Sequence, residues 1–256
     1  MHSACAFGSN LWLWRACFLV STSFLDLWCL DRKPICEEMP MRHLFLYFLE
    51  VMIIGFVKIS KGNSKMGSIA SVSLPAGETC RQCACHAKCY AAKIERLRPN
   101  VKAAYQNNLM VLQNTPEIYW REVEAALMTN RYFRFHVSGD IPDADYFENM
   151  VKVVKRNTHC EVLCFTKKFE IVNQYIFEQR DPPRLPLNLH IVFSGWPGLR
   201  MINGYGLPEA HVRFRDGTTT AREDAKLCGG NCTECAITGE GCWTLKRGEQ
   251  IIFDEH

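Results

Sequence analysis

From residue 58 onward, apolar and polar positions fall into a repeating order of strand-like and helix-like stretches. Residues 70–74 predict a strand closed by Pro75, followed by a cysteine-rich loop from position 80 to 89. Residues 91–112 are helix-forming but interrupted at Pro99, and 116–128 opens on proline with Trp120, Val123 and Leu127 at helical spacing. Residues 132–138 are aromatic and β-branched and predict the next strand, which ends in Gly139-Asp140. The stretch 142–155 has acidic residues early (Asp143, Asp145, Glu148) and Lys152 and Lys155 late, the charge order that suits a helix dipole. A strand over 160–166, a helix over 169–179, a proline-rich linker over 182–186 and a strand over 187–194 complete the run.

A series of this kind predicts an α/β fold in which parallel βα repeats form a partial or full TIM-like barrel. About 200 residues is short for a complete eightfold barrel. Period two in the second strand places Arg134, His136 and Ser138 on one face, and in the fourth strand Asn188, His190 and Ser194. Parallel strands covered on both sides are usually apolar throughout, so these two stripes predict a polar interior lining a cavity. Core histidines that simply pack are the competing reading of His136 and His190. Asp140 stands at the carboxyl end of a parallel strand, where such folds build their sites.

Residues 1–57 break the pattern. They hold Trp12, Trp14 and Trp28 and four scattered cysteines, with no clean period. Their longest apolar stretch, 43–57, contains Glu50 and is shorter than the roughly 20 residues a bilayer span needs. No membrane segment and a cytoplasmic location are therefore expected. Met41, Met52 and Met66 would each allow translation to begin inside, with the first forty to sixty residues as upstream sequence; 1–57 is accordingly expected to be an atypical extension outside the native protein and 58–256 the functional, metal-binding domain. A net charge of +3 on 256 residues is too small to call for a nucleic-acid partner. The basic groups Lys93, Arg96, Arg98, Lys102 and Lys152, Lys155, Arg156 read as solvated helix faces.

Composition changes the picture at one residue type, cysteine, of which there are 14. A chain this long can build a core without disulfide staples, so another use is implied. Eight fall into two groups: Cys80-x2-Cys83-x-Cys85-x3-Cys89, then Cys228-x3-Cys232-x2-Cys235-x6-Cys242 within a carboxyl-terminal segment 228–243. Four thiolates that close in sequence can hold zinc or an iron-sulfur cluster. The tight Cys83-x-Cys85 spacing, without paired knuckles, favours one or two iron-sulfur clusters of the [4Fe-4S] type, with zinc as the alternative. Cys160 and Cys164 lie on one strand and read as buried core thiols.

Lys61-Gly62-Asn63-Ser64-Lys65, Ser73-Leu74-Pro75-Ala76-Gly77, Cys89-Tyr90-Ala91, Ser138-Gly139-Asp140, Phe165-Thr166-Lys167 and the closing segment to Cys242-Trp243 together resemble the phage gene product 88 family. The resemblance runs from residue 58 to about 243 and implies a phage or prophage protein in a bacterial host, with no reaction attached. The layout is more distantly similar to radical S-adenosylmethionine enzymes, which carry a cysteine loop after the first barrel strand. That similarity implies a [4Fe-4S] cluster on three of the first four cysteines. Ser138, Gly139 and Asp140 would then hold S-adenosylmethionine, while Arg134, His136 and His190 face an unknown substrate and an external donor supplies electrons. Two departures stand against it. The first loop is C-x2-C-x-C-x3-C rather than C-x3-C-x2-C, and the expected spacing occurs instead at Cys228, Cys232 and Cys235. An iron-sulfur protein with another activity and a zinc protein with a structural or nucleic-acid-binding role are the other expectations.

Overall fold

The computed structural model describes residues 56–80, 83–179 and 185–255. The expectations for residues 1–55, and most of the proline-rich linker, lie outside the described residues. Seven strands form one sheet: β1 (Ala70–Val72), β2 (Tyr132–Phe135), β3 (Glu161–Thr166), β4 (Leu189–Ser194), β5 (Glu209–Arg213), β6 (Lys226–Leu227) and β7 (Gln250–Asp254). The helices are α1 (Tyr90–Leu97), α2 (Pro99–Asn114), α3 (Pro116–Thr129), α4 (Ala144–Arg156), α5 (Phe169–Glu178) and α6 (Cys232–Thr238). Pro99 divides the predicted first helix into α1 and α2, since proline is accommodated in a first turn but not in a helix interior. The Asp143 carboxylate caps α4 by accepting from the Tyr146 N–H at 2.8 Å.

Every ladder is parallel, and the spatial order is β1-β2-β3-β4-β5-β7-β6. The sheet is open, so the full barrel among the expectations is not formed. Edge strand β6 has two residues, and at the opposite edge Ser60 bridges Ser71 antiparallel, with N–H to O distances of 2.8 and 2.9 Å. Three strands, β5, β6 and β7, had no prediction. β5 and β7 are tied together by side chains: Glu209 accepts from Asn203 at 2.8 Å and from Gln250 at 2.5 Å.

The two faces of the sheet differ. One carries Phe133, Phe135, Val162, Cys164, Ile191 and Phe193, and buries them against α3, α4 and α5; Trp120 meets Phe135 with ring centroids 6.4 Å apart, and Phe169 meets Phe193 at 4.9 Å. Cys160 and Cys164 are buried, as expected of core thiols. The other face presents Tyr132, Leu163, Phe165, Val192, Ala210, Ile251 and Phe253 to Met66, Ile69, Ala236, Trp243 and the second cysteine group. Strand register places Arg134 on this cysteine face, beside Ser71 and Leu163.

His136 does not share it. β2 ends at Phe135, and His136 adopts a left-handed φ of 59°, which breaks the alternation. Its ring packs instead against Phe135 and Tyr146, at 6.0 and 5.4 Å between centroids. Asn188 also departs from the predicted stripe. It precedes β4, and its amide donates to the carbonyls of Val154, Asn157 and Cys160 at 3.1, 3.0 and 2.9 Å, closing the carboxyl end of α4.

Candidate metal centres

The first cysteine loop stands on a platform made by the carboxyl ends of β1, β2 and β3. The Ser73 hydroxyl accepts from the N–H groups of Val137 (3.1 Å) and Ser138 (3.4 Å), and the Leu74 N–H donates to the Ser138 carbonyl at 3.2 Å. Gly139, at φ 78°, lies so close that a Cβ would come within 2.6 Å of the Leu74 carbonyl oxygen. Thr79 donates to the Pro75 carbonyl at 3.1 Å and accepts from the Asp140 N–H at 3.0 Å. Asp140 then reaches the third strand. Its carboxylate accepts from the Thr166 hydroxyl (2.6 Å) and from the N–H groups of Lys167 (2.9 Å) and Ile141 (2.8 Å). Buried Glu95 of α1 accepts from the Ser138 hydroxyl at 2.5 Å and the Ala76 N–H at 2.9 Å. Ser138, Gly139 and Asp140 are therefore buried or closely packed and joined to the chain itself, with the Asp140 carboxyl pushed up by burial.

Above this platform Cys80, Cys83, Cys85 and Cys89 line a cavity of about 210 Å³ together with Gly77, His86 and Ala92. The Cys83 and Cys85 sulfurs are 2.6 Å apart, and either can be the donor to the other. That hydrogen bond brings Cys83 down to about 6, and the Cys85 thiol likewise brings Cys89 down to about 5, so Cys85 itself is held as the thiol. Cys89 precedes α1, whose Ala91 and Ala92 N–H groups favour its thiolate further. The Lys167 ammonium favours the charged form of Cys83, Cys85 and Cys89, while burial raises Cys80.

The second group is built into the core. The Asn231 side chain caps α6 by accepting from the Glu234 N–H at 3.2 Å, which sets Cys232 and Cys235 on one short helix. Trp243 is buried, donates its indole N–H to the Cys232 carbonyl at 3.3 Å, and meets the Tyr132 ring at 5.1 Å. The Tyr132 hydroxyl donates to the Ala236 carbonyl at 2.7 Å. On the far side, the Cys232 N–H donates to the Lys65 carbonyl at 3.0 Å, and Thr233 donates to the Met66 carbonyl at 2.8 Å. Asn63 holds that turn by accepting from Lys65 and Met66, at 3.0 and 2.9 Å. Burial pushes Cys242 up to about 12 and raises Cys232 and Cys235.

Among the described residues, no three or more His, Cys, Asp or Glu side chains stand at finished metal-ligating geometry. Sulfurs bound at about 2.3 Å to one tetrahedral ion lie roughly 3.8 Å apart, wider than the hydrogen-bonded Cys83 and Cys85 pair. The donor chemistry nonetheless fits: each group offers four thiols, and the first encloses a cavity with two of its sulfurs already biased to the charged form.

The remaining site candidates separate. Arg134 lies with its guanidinium over the Phe165 ring at 4.7 Å, near the second cysteine group. His190 is on the same face, 2.7 Å from a Glu161 carboxylate oxygen and edge-on to Trp243. His136 is buried, with neither ring nitrogen hydrogen-bonded, and burial brings it down to about 3. It is a packed neutral imidazole facing the helices. Lys167, Lys65, Glu95 and Thr79 were not singled out as site residues, though Lys61 to Lys65 and Phe165 to Lys167 were noted as motifs. The basic groups on α1, α2 and α4 are exposed, with Lys152 paired to Glu148 at 2.8 Å and Arg156 to Glu124 at 2.7 Å, consistent with solvated faces.

The gene product 88 family model matches residues 56–198, more than half of the chain. The chain belongs to the gene product 88 family. The match takes in the Lys61 to Lys65 turn, the first cysteine loop and the whole platform. It ends before residue 228, so the second cysteine group falls outside it, a narrower extent than the motifs had implied. No curated protein and no solved structure matches the chain. Within the family-matched region, Ser73 to Gly77, Ser138 to Asp140 and Phe165 to Lys167 are far apart in sequence and hydrogen-bonded to one another in space. No described helix is long and apolar enough to cross a membrane.

Proposed function

We propose that this gene product 88 chain is an iron-sulfur protein of phage type acting in the cytoplasm, on an open sheet of half-barrel kind. The first loop would carry a cluster and the carboxyl-terminal segment a second metal centre. One observation carries the reading: the separated family motifs converge as a hydrogen-bonded platform directly beneath four cysteines that line one cavity. Sites of parallel α/β folds form at this end of the strands.

Cys80, Cys83, Cys85 and Cys89 would hold the first cluster, and a cluster bound there supplies one-electron chemistry. Lys167 offsets the negative charge of the thiolates, and the α1 amides stabilise Cys89. Ser138, Gly139 and Asp140 act in this reading by fixing the loop to the strand ends, which holds the sulfurs convergent without their touching a cofactor. A radical S-adenosylmethionine-type reaction is the more specific form of the same proposal, in which only three of these four cysteines ligate the cluster; it is supported by strands β1 to β4 being adjacent and parallel in chain order, with the loop after the first of them. His190, on the cysteine face, is the side chain it leaves for a substrate.

Anaerobic purification with iron, sulfide and zinc analysis tests the reading. Absorption near 400 nm and about four or eight irons per chain are expected. About two zincs and no colour would replace it with a zinc protein. Adding S-adenosylmethionine to the reduced protein tests the specific form, and absence of 5′-deoxyadenosine removes it.

A further inference from the structure

Arg134 is a half-buried cation on the cysteine face. Its Nε is buried without a hydrogen bond, and it makes no ion pair among the described residues. Its guanidinium lies over the face of Phe165, 4.7 Å from the ring centroid. An unpaired polar N–H in such a position costs about 1 to 3 kcal/mol, more for a charged group, so an anion belongs there. The sheet supplies none, since Arg134 is flanked in register by Ser71 and Leu163, and Glu161 is taken by His190 at 2.7 Å.

The second cysteine segment does supply one. Phe165, under the guanidinium, packs in the same cluster as Cys228, Cys232, Cys235 and Cys242, and Tyr132, two residues before Arg134, anchors the segment through Ala236 and Trp243. Four thiolates around a zinc ion, or around a [4Fe-4S] core in its 2+ state, carry a net charge of about −2.

We infer that Arg134 is the counter-ion of a metal centre on Cys228, Cys232, Cys235 and Cys242, giving this dianion a fixed positive charge and a free N–H. The inference rests on the metal-binding reading above and adds a positioning residue contributed by β2 to a centre that lies outside the family-matched region.

The test is metal release from the purified holoprotein to a competing chelator. Two release phases are expected, and Cys242→Ser removes the one that belongs to the second centre. Arg134→Met should accelerate that phase by about tenfold or more, the usual effect of losing an outer-shell partner, and leave the first-centre phase unchanged, which also reports that the variant is folded. Arg134→Lys keeps the charge and should stay within about threefold of wild type. Release from Arg134→Met at the wild-type rate overturns the inference alone, as does release from Arg134→Lys as fast as from Arg134→Met. If Cys242→Ser removes no metal, the second centre does not exist, and both the metal reading of that segment and the role of Arg134 fall.

Discussion

The first cysteine loop and the second cysteine segment contain four cysteines each and differ in what holds them. The first sits on strand ends, fastened from below by hydrogen bonds through Ser73, Thr79, Glu95 and Asp140, with its sulfurs around an open cavity. The second is packed among Met66, Ile69, Leu163, Trp243 and Ile251, with its sulfurs half-buried against that cluster. Polar fastening holds the loop at the strand ends beside a cavity, whereas apolar packing makes the segment part of the core. In the proposed protein the first centre is the reactive one and the second also carries part of the fold.

The largest effect that tests this contrast is on stability. Trp243→Ala removes a buried indole that spans the cysteine segment and the sheet, and should cost about 3 to 5 kcal/mol in urea unfolding. His86→Ala, an exposed side chain at the first cavity, should stay within about 0.5 kcal/mol. Equal losses from the two would show that the first loop is as much a part of the core as the second segment.

Thiol reactivity sharpens the contrast next. In metal-free protein at pH 7, Cys83 near 6 and Cys89 near 5 are mostly thiolate, whereas Cys242 near 12 is almost wholly thiol. Iodoacetamide followed by peptide mass mapping should therefore label Cys83 and Cys89 at least about tenfold faster than Cys242. Lowering the pH to 5 protonates Cys83, because the pH has fallen below its depressed value, and should slow its labelling about tenfold. Uniform labelling of all three would remove the electrostatic difference between the groups.

Much of this frame was legible in the residues. Strands β1 to β4 and helices α1 to α5 carry their own periodicity, with Pro99, Pro116 and Asp143 marking where helices begin. Strands β5 to β7 carry almost none. Lys226–Leu227 is two residues long, and its pairing with β7 is decided by distant chain. Face assignment failed at His136 for a local reason: period two holds only while the backbone stays extended, and a left-handed histidine leaves no mark in composition. The platform was half-legible. Its motifs were visible as short polar strings, but their mutual hydrogen bonds depend on three strand ends standing side by side, which spacing does not encode. For the same reason period two sets Arg134 opposite Phe133 and Phe135 but does not name its neighbour on that face, the cysteine segment about 100 residues later.

The finest test uses two glycines, one in each region, that share a backbone state and differ in what surrounds them. Gly77 lines the first cavity at φ 85° with nothing within 4 Å of a built Cβ; Gly241 has φ 61° and a Cβ there would meet the Cys235 sulfur at 2.9 Å. Alanine at either position incurs the left-handed strain of about 1 kcal/mol. Only Gly241→Ala must also displace a sulfur that is itself packed against the core, so it should cost a further kcal/mol or so and speed metal release from the second centre. Urea midpoints of the two variants, read beside their chelation rates, separate the shared backbone strain from the local crowding. Should Gly77→Ala lose as much as Gly241→Ala, the first loop would have to be as closely packed as the second segment, and its role as the accessible centre would no longer follow.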